Sequence, residues 1–132
     1  MKLVLQHWRT HKMAISYTWD VKTVDTYPSH TDDNSNTESD VIYNVHWRLT
    51  GEDDANNDAD GNPQQGSVYG SISLDVSDLS SFTAFDSVTT STVQGWVESA
   101  LGSDEVTSLK SNIDAQIAEK VTPTTETKII GS

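Results

Sequence analysis

Residues 41–49 read VIYNVHWRL, and this stretch decides the fold. Large apolar side chains fall on its alternate positions: Val41, Tyr43, Val45, Trp47 and Leu49. Successive side chains of a β-strand point to opposite faces, so these residues share one face. The residues between them are polar apart from Ile42. The stretch therefore predicts a strand with one buried and one solvated face.

Two further segments carry the same alternation on either side of this strand, within residues 14–24 and 68–76. Their apolar side chains are, in order, Ile15, Tyr17, Trp19, Val21, Val68, Ile72, Leu74 and Val76. The connecting residues 27–39 and 51–66 are rich in Asp, Asn, Ser and Pro without an apolar period, which predicts solvated loops. Loops without an evident helix favour hairpins, so we predict three antiparallel strands.

Past Asp78 the apolar period changes to that of an α-helix. The first stripe comprises Val93, Trp96, Val97, Ala100 and Leu101, and the second Val106, Leu109, Ile113 and Ile117. We expect Ser91 or Thr92 to cap the first helix and Gly102 to end it. Ser103 is expected to cap the second helix, and Pro123 limits its length.

The order of elements predicts an α+β fold, a three-stranded antiparallel β-meander followed by two C-terminal helices packed on one face. Residues 13–123 are interpreted as a single domain, because 132 residues match the usual size of one domain. Residues 124–132 form a C-terminal tail, in which Lys128, Ile129 and Ile130 either add a short edge strand or stay disordered. Residues 1–12 are interpreted as a basic N-terminal arm or as a non-native extension preceding a start at Met13.

The composition is strongly acidic, with 20 acidic against 8 basic residues and a net charge of −12. The first twelve residues carry +3 and the remainder −15. This balance argues against binding to nucleic acid or to an anionic membrane surface, both of which require clustered Lys and Arg. The absence of cysteine removes disulfides, thiol nucleophiles and cysteine metal sites. We therefore expect protein partners, with no nucleic acid, no membrane and no cofactor.

One acidic segment, residues 52–60 with Gly61, partly resembles a calcium-binding loop. Asn56, Asp58 and Asp60 stand at alternate positions before the glycine, as in loops that surround a hard cation with oxygen ligands. The twelfth position, where such loops place a bidentate Glu, is Ser67, and the flanks are predicted strands instead of helices. An ordinary solvated hairpin loop is the favoured interpretation, and no metal ligand is assigned.

Histidines and hydroxyl residues do not form a recognisable catalytic motif. His7 and His11 have i, i+4 spacing, whereas His46 lies between Asn44 and Arg48 on the polar face of its strand. A general base needs a positioned partner and a pocket, so a surface or cross-strand hydrogen-bonding role is favoured for His46. No nucleophile elbow or phosphate-binding loop is present. We predict no catalytic or cofactor-binding residue and expect that the protein is not an enzyme.

The aromatic residues divide between the two faces of the predicted sheet and helices. Trp19, Trp47 and Trp96 lie on apolar stripes, which favours a core cluster over an exposed platform for a carbohydrate or a partner. Tyr69 falls on the opposite face of its strand. It is therefore the better candidate for an exposed contact.

Four segments carry a resemblance to a known group of proteins. They are Val41-Ile42-Tyr43-Asn44-Val45-His46-Trp47-Arg48, Val68-Tyr69-Gly70, Phe82-Thr83-Ala84-Phe85 and Val93-Gln94-Gly95-Trp96-Val97. The chain resembles small uncharacterised proteins of tailed bacteriophages, especially marine cyanophages, over roughly Met13 to Pro123. The resemblance implies a phage setting, in which many such genes encode virion components, and carries over no catalytic or ligand residue.

We therefore expect a non-enzymatic virion structural or accessory protein, such as a decoration, connector or tail-associated subunit. It would bind other virion proteins through a sheet edge or the polar face. Two alternatives remain open: a soluble phage-encoded modulator that binds a host protein in the host cytoplasm during infection, and a calcium-stabilised binding module. The sequence does not indicate the oligomeric state.

Overall fold

The computed structural model describes residues 13–131, which form three strands followed by two helices. The elements are β1 (Ile15–Thr31), β2 (Thr37–Asn57), β3 (Pro63–Ser73), a short 3₁₀ helix (Phe85–Ser87), α1 (Thr90–Leu101) and α2 (Ser103–Val121). Both strand pairs are antiparallel, in the order β1-β2-β3. The predicted α+β fold, a meander with two C-terminal helices packed on one face, is confirmed. No helix within these residues is long and apolar enough to cross a membrane.

The core lies between one face of the sheet and the two helices. Leu49 is the centre of the sheet's contribution, paired with Trp19 on β1 and Val68 on β3. The buried side chains of this core are Val21, Ile42, Val45, Trp47, Leu49, Val93, Val97, Ile113 and Ile117. The strand alternation around Leu49 and both helical stripes therefore meet as predicted, because each supplies one apolar surface that the others cover. Ile42, predicted on the polar face, belongs to the core in place of Tyr43, because the β1–β2 ladder is irregular between Asp25 and Thr26.

The strands extend well beyond their apolar centres, and here the predicted loops are wrong. Residues 27–31 and 37–39 continue the β1–β2 ladder, and residues 51–57 and 63–66 continue β2 and β3. Strand pairing is made by backbone groups, so polar side chains do not end it when both faces of a hairpin end are solvated. Pro28 is tolerated because β1 is an edge strand.

The helix ends also differ from prediction at two points. Thr89, and not Ser91 or Thr92, caps α1, since its Oγ1 accepts a hydrogen bond from the Thr92 N–H at 3.2 Å. Gly102 ends α1 as predicted, and its φ of 89° lies where glycine is favoured. Because this single residue joins the helices, Ser103 is already the first residue of α2 and not its cap.

Candidate functional site

The helices cover one face of the sheet and leave the other uncovered. We call this second surface the open polar face. It is built by side chains that alternate with the core residues along all three strands: Asp20, Thr23, Asp25, Asn44, His46, Arg48, Ser67, Tyr69 and Ser71. An antiparallel sheet is stable with one solvated face, so the polar side chains satisfy the fold. Their arrangement decides what that face can do.

On the β1–β2 side, one carboxylate organises the open polar face. Asp25 Oδ2 lies 2.8 Å from His46 Nε2 and accepts a hydrogen bond from Asn44 Nδ2 at 2.9 Å. The Asn44 hydrogen bond is the largest influence on the Asp25 carboxyl, and together with that of His46 it lowers the pKa despite the opposing effect of desolvation. The cross-strand hydrogen bond predicted for His46 is confirmed. Asp25 was not anticipated, because two irregularities in the β1–β2 register set its position.

On the β2–β3 side, an arginine and a tyrosine form the most prominent feature. Arg48 Nη1 donates to Ser67 Oγ at 3.0 Å, and its guanidinium carbon lies 5.0 Å from the centre of the Tyr69 ring. This distance suits a cation–π contact. Tyr69 is nevertheless 74% exposed, which confirms that it faces solvent. The hydrogen bond and the ring contact hold Arg48 in one orientation.

A shallow cavity of about 470 Å³ lies between these two groups of side chains. Its polar lining consists of Asp20, Thr23, His46, Arg48, Tyr69 and Ser71. The surface offers carboxylate, imidazole, guanidinium and hydroxyl groups side by side. The His46 and Asp25 side chains are 48% and 40% exposed, so both lie in water, where they can exchange hydrogen bonds with a partner. Chemically, the face is suited to contact with another polar surface.

Trp19, Trp47 and Trp96 belong to the core side of the sheet, although Trp47 also lines the cavity of the open polar face. Trp47 is buried, and the partly buried Trp19 and Trp96 pack against the core. The Trp19 and Trp47 rings meet edge to face with centroids 5.7 Å apart. The Gly70 backbone supports Trp47 closely, since a Cβ there would lie 2.9 Å from Trp47 Cζ2. The predicted core position is confirmed for Trp47, and Trp19 joins it in an aromatic pair, whereas Trp96 packs against the core and also lines a surface cavity.

The outer edge of β3 is covered by α2 at residues 65–67. The Gln116 side-chain amide accepts from the Ser67 N–H at 3.1 Å and donates to the Ser67 carbonyl at 3.0 Å, as a neighbouring strand would. Lys120 Nζ donates to the Gln65 carbonyl. Gly66 allows the helix this close, because a Cβ there would meet Gln116 and the Ile113 carbonyl at 3.1 Å. The outer backbone groups of Gln65 and Ser67 are therefore already paired and are not free for an added strand.

The outer edge of β1 is protected by irregular backbone. Register shifts occur between Asp20 and Thr23 and between Asp25 and Thr26, and Pro28 removes one N–H. The Asp20 carboxylate also accepts from the Lys22 N–H at 3.2 Å within the first shift. Bulges and proline are the features by which natural sheets discourage edge-to-edge pairing. Both sheet edges are thus poor binding surfaces, whereas the open polar face is accessible.

A buried carboxylate holds the β1–β2 turn to the segment that follows β3. Asp32 accepts hydrogen bonds from the Leu79 N–H at 2.7 Å and from the Asn34 and Asn36 N–H groups at 2.9 and 2.7 Å. The Leu79 hydrogen bond is the main reason why the pKa of Asp32 is lowered from 3.8 to about 2. The sequence shows only an acidic turn here, since its partner at Leu79 is 47 residues away.

We expect the stability of the domain to fall as the pH is lowered from about 4 to about 2. Because the folded-state pKa of Asp32 lies below its ordinary value, its contribution is complete above pH 3.8 and is lost as the pH falls towards 2. Asp32→Asn should show a lower melting temperature at pH 7 and a smaller further decrease over this acid range. Circular dichroism melts at constant ionic strength measure both effects, with the exposed Asp33→Asn as control. Equal acid slopes for wild type and Asp32→Asn would contradict the assignment.

The acidic segment with partial resemblance to a calcium loop forms the β2–β3 turn. The Asp58 carboxylate accepts from the Asp60 N–H at 2.9 Å and from the Asn62 N–H at 3.0 Å, so one of its oxygens serves the turn itself. Within residues 13–131 no group of three or more His, Asp and Glu side chains is placed to hold a metal ion. His7 and His11 lie outside the described residues.

Comparison with known proteins yields one family finding. The family model described as "Domain of unknown function (DUF7936)" matches residues 14–129. This span contains the strands and helices of the described residues and all residues of the open polar face. No curated protein matches the chain, and no solved structure matches it.

Proposed function

We propose that the chain, which belongs to the DUF7936 family, is a non-enzymatic binding protein whose open polar face contacts another protein. The proposed setting is a bacteriophage particle, in which the chain serves as a structural or accessory subunit. The observation that carries the proposal is the exposed Arg48–Tyr69 pair at the centre of an uncovered sheet face.

The Arg48–Tyr69 pair has the properties of an interface anchor. Arginine and tyrosine are enriched among the residues that dominate protein–protein binding energies. Arg48 is already oriented by Ser67 and by the Tyr69 ring, so binding would order few additional rotamers. Pre-ordering of this kind favours affinity because association loses less side-chain entropy. The Asp25–His46–Asn44 group adds pre-ordered hydrogen-bonding atoms beside the pair.

The choice between the face and the sheet edges follows from the backbone. The Gln116 side chain hydrogen-bonds to the N–H and the carbonyl of Ser67 at the outer edge of β3. Bulges and Pro28 interrupt the β1 edge. Binding by strand addition would have to displace the Gln116 side chain from the β3 edge or straighten the bulged backbone of the β1 edge. The open polar face requires neither change, so it is the surface that we propose for binding.

The phage setting is supported by the resemblance in sequence. Two of its segments, residues 41–48 and 68–70, lie on β2 and β3 and include both Arg48 and Tyr69. The resemblance thus covers the strands that carry the proposed anchor. A high-copy acidic subunit with a net charge of −12 is also consistent with solubility before assembly.

The test begins with purified phage particles and the untagged protein. We expect mass spectrometry to detect the chain at a constant copy number per particle, and cross-linking to join residues of its open polar face to another virion protein. Arg48→Ala combined with Tyr69→Ala should reduce binding to that virion protein at least about tenfold. The matched control is Glu105→Ala combined with Ser108→Ala, two exposed positions on α2, which should bind as wild type.

Two results would overturn the proposal. One is the absence of the chain from particles together with its abundance in infected-cell lysate. The other is unchanged binding of the Arg48→Ala, Tyr69→Ala variant when its circular dichroism spectrum and melting temperature match those of wild type. Specific capture of a host protein through the same face would instead support the alternative of a modulator and contradict the virion assignment.

A further inference from the structure

The C-terminal tail carries two large apolar side chains that none of residues 13–131 covers. After α2 ends at Val121, residues 122–131 form neither helix nor strand, and Ile129 and Ile130 are 96% and 94% exposed. Lys128 precedes them and pairs with Glu126 at 3.0 Å on the surface. The predicted short edge strand is not formed. Two adjacent isoleucines in water are unfavourable, so an apolar surface that accepts them would be occupied readily.

A matching cavity lies at the opposite end of the domain. It has a volume of about 390 Å³, between the C-terminal half of α1 and the segment after β3. Its apolar walls are Val41, Ile42, Leu74, Val76, Leu79 and Trp96. Most ligand cavities are apolar with a few polar groups at defined positions.

Two polar residues, Asp75 and Ser99, also line this cavity. The Asp75 carboxylate accepts hydrogen bonds from Ser77 Oγ at 2.6 Å and from the Ser77 N–H at 2.9 Å, and the first of these is the main cause of its lowered pKa. Asp75 is therefore a fixed negative charge at neutral pH. A segment consisting of a lysine followed by two isoleucines complements an apolar cavity with an acidic residue in its lining.

The tail of the same molecule cannot reach this cavity. Thr124 is held at the end of α2, where its N–H donates to Glu119 Oε1 at 2.9 Å, and five residues from there to Ile129 span at most about 18 Å. The end of α2 lies beside Gln65, which pairs with Glu52. Along β2, Val41 is eleven residues from Glu52, or about 36 Å. The tail of a second molecule has no such restriction.

We infer that the cavity lined by Trp96 and Leu79 binds the C-terminal segment Lys128–Ile130 of a second copy of this chain. Each copy contributes one tail and one cavity, so the contact either closes reciprocally as a dimer or continues from copy to copy. The inference concerns a different surface from the open polar face. Self-association through the tail and partner binding through Arg48 and Tyr69 can therefore fail independently.

Sedimentation velocity of the purified chain tests the inference. Because the contact is small, we expect the weight-average sedimentation coefficient to rise at protein concentrations on the order of 100 μM. Ile129→Ser combined with Ile130→Ser should abolish this rise. Ala100→Phe, which places a ring in the cavity from an exposed helix position, should abolish it as well. The tail substitution Thr125→Ala is the control and should behave as wild type.

Mixing the two defective variants separates a tail–cavity contact from other modes of association. The tail variant retains an intact cavity and the cavity variant an intact tail, so an equimolar mixture should regain a complex of one copy of each. A synthetic peptide of residues 124–132 should shift the Trp96 indole resonance of the tail variant but not that of the Ala100→Phe variant. A wild-type chain that stays monomeric at 1 mM, or a tail variant that associates like wild type, would overturn the inference.

Discussion

Replacing Ile113 by alanine is expected to lower the free energy of unfolding by about 4 kcal/mol. Ile113 is completely buried on α2 and belongs to the core cluster with Leu49 and Ile117. Its Cγ2 lies against the backbone of Gly51 on β2. Removing three side-chain carbons there loses apolar burial and leaves a cavity between helix and sheet, which neighbouring side chains fill only in part.

The contact with Gly51 makes this prediction testable as a double-mutant cycle. A Cβ at position 51 would lie 2.6 Å from Ile113 Cγ2 and 3.1 Å from Ile15 Cγ2, so Gly51→Ala alone should cost about 2 kcal/mol through overpacking. In Gly51→Ala, Ile113→Ala the new methyl group enters the space left by the isoleucine. The double variant should therefore lose at least about 1 kcal/mol less than the sum of the single variants.

Urea denaturation followed by tryptophan fluorescence measures all four chains of the cycle. Gly51→Ala combined with Val93→Ala is the control, because Val93 is a buried residue of α1 outside the Gly51 contact. For this control pair, the losses in free energy of unfolding caused by the two single substitutions should be additive within about 0.5 kcal/mol. Additive losses for the 51/113 pair would show that α2 does not pack on β2 at this point.

Asp53→Ala is expected to cost about 3 kcal/mol, unusually much for an aspartate. Asp53 is completely buried and accepts hydrogen bonds from the Ala14 N–H at 3.1 Å, the Ala55 N–H at 2.9 Å and Asn56 Nδ2 at 2.9 Å. Burial alone would raise its pKa, but these hydrogen bonds together outweigh that effect and lower it. Alanine would leave the donors without this acceptor, and unpaired buried donors are costly.

Chemical denaturation measures the loss of stability, and hydrogen exchange locates its cause. The Ala14 and Ala55 amides should exchange markedly faster in Asp53→Ala, whereas amides in the middle of β2 should exchange faster only by the factor that the loss of global stability gives. Asp53→Asn should have an intermediate effect, because it keeps one acceptor oxygen but directs an amide group towards donors. The exposed neighbour Asp54→Ala should change stability by less than about 0.5 kcal/mol. Equal losses at positions 53 and 54 would contradict the role of the buried carboxylate.

The fold class follows from short-range patterns. Alternation around Trp47 and the helical stripe ending at Ile117 each specify which face of an element is apolar, and Gly102 marks the break between the helices. These signals are local because a strand or helix repeats its geometry every two or 3.6 residues. Apart from Ile42, the residues of the core cluster could be named in advance for the same reason.

The full length of the strands could not be predicted from the sequence and is seen only in the paired sheet. Residues 27–31 and 51–57 are polar, so no side-chain pattern distinguishes them from loops. Their strand conformation comes from hydrogen bonds with a neighbouring strand, and the neighbour is specified only once the sheet forms.

For the open polar face, too, some residues can be predicted from the sequence and others cannot. Tyr69 and His46 can be placed on the solvated side from alternation alone, and both lie there. The hydrogen-bond partners of these side chains cannot be predicted from alternation, because Asp25 reaches His46 only through the irregular β1–β2 register.

Periodicity along the chain thus determines the elements, their apolar faces and their order. Tertiary structure alone decides that Asp32 and Asp53 are buried, that Gln116 closes the β3 edge, and that the tail at Ile129 lies far from the cavity beside Trp96. The physical reason is the distance along the sequence between the residues that interact. Burial of apolar surface is encoded by spacing within one element. The hydrogen bonds Asp32–Leu79, Asp53–Ala14 and Gln116–Ser67 instead join residues 47, 39 and 49 positions apart, a separation that does not indicate proximity in space.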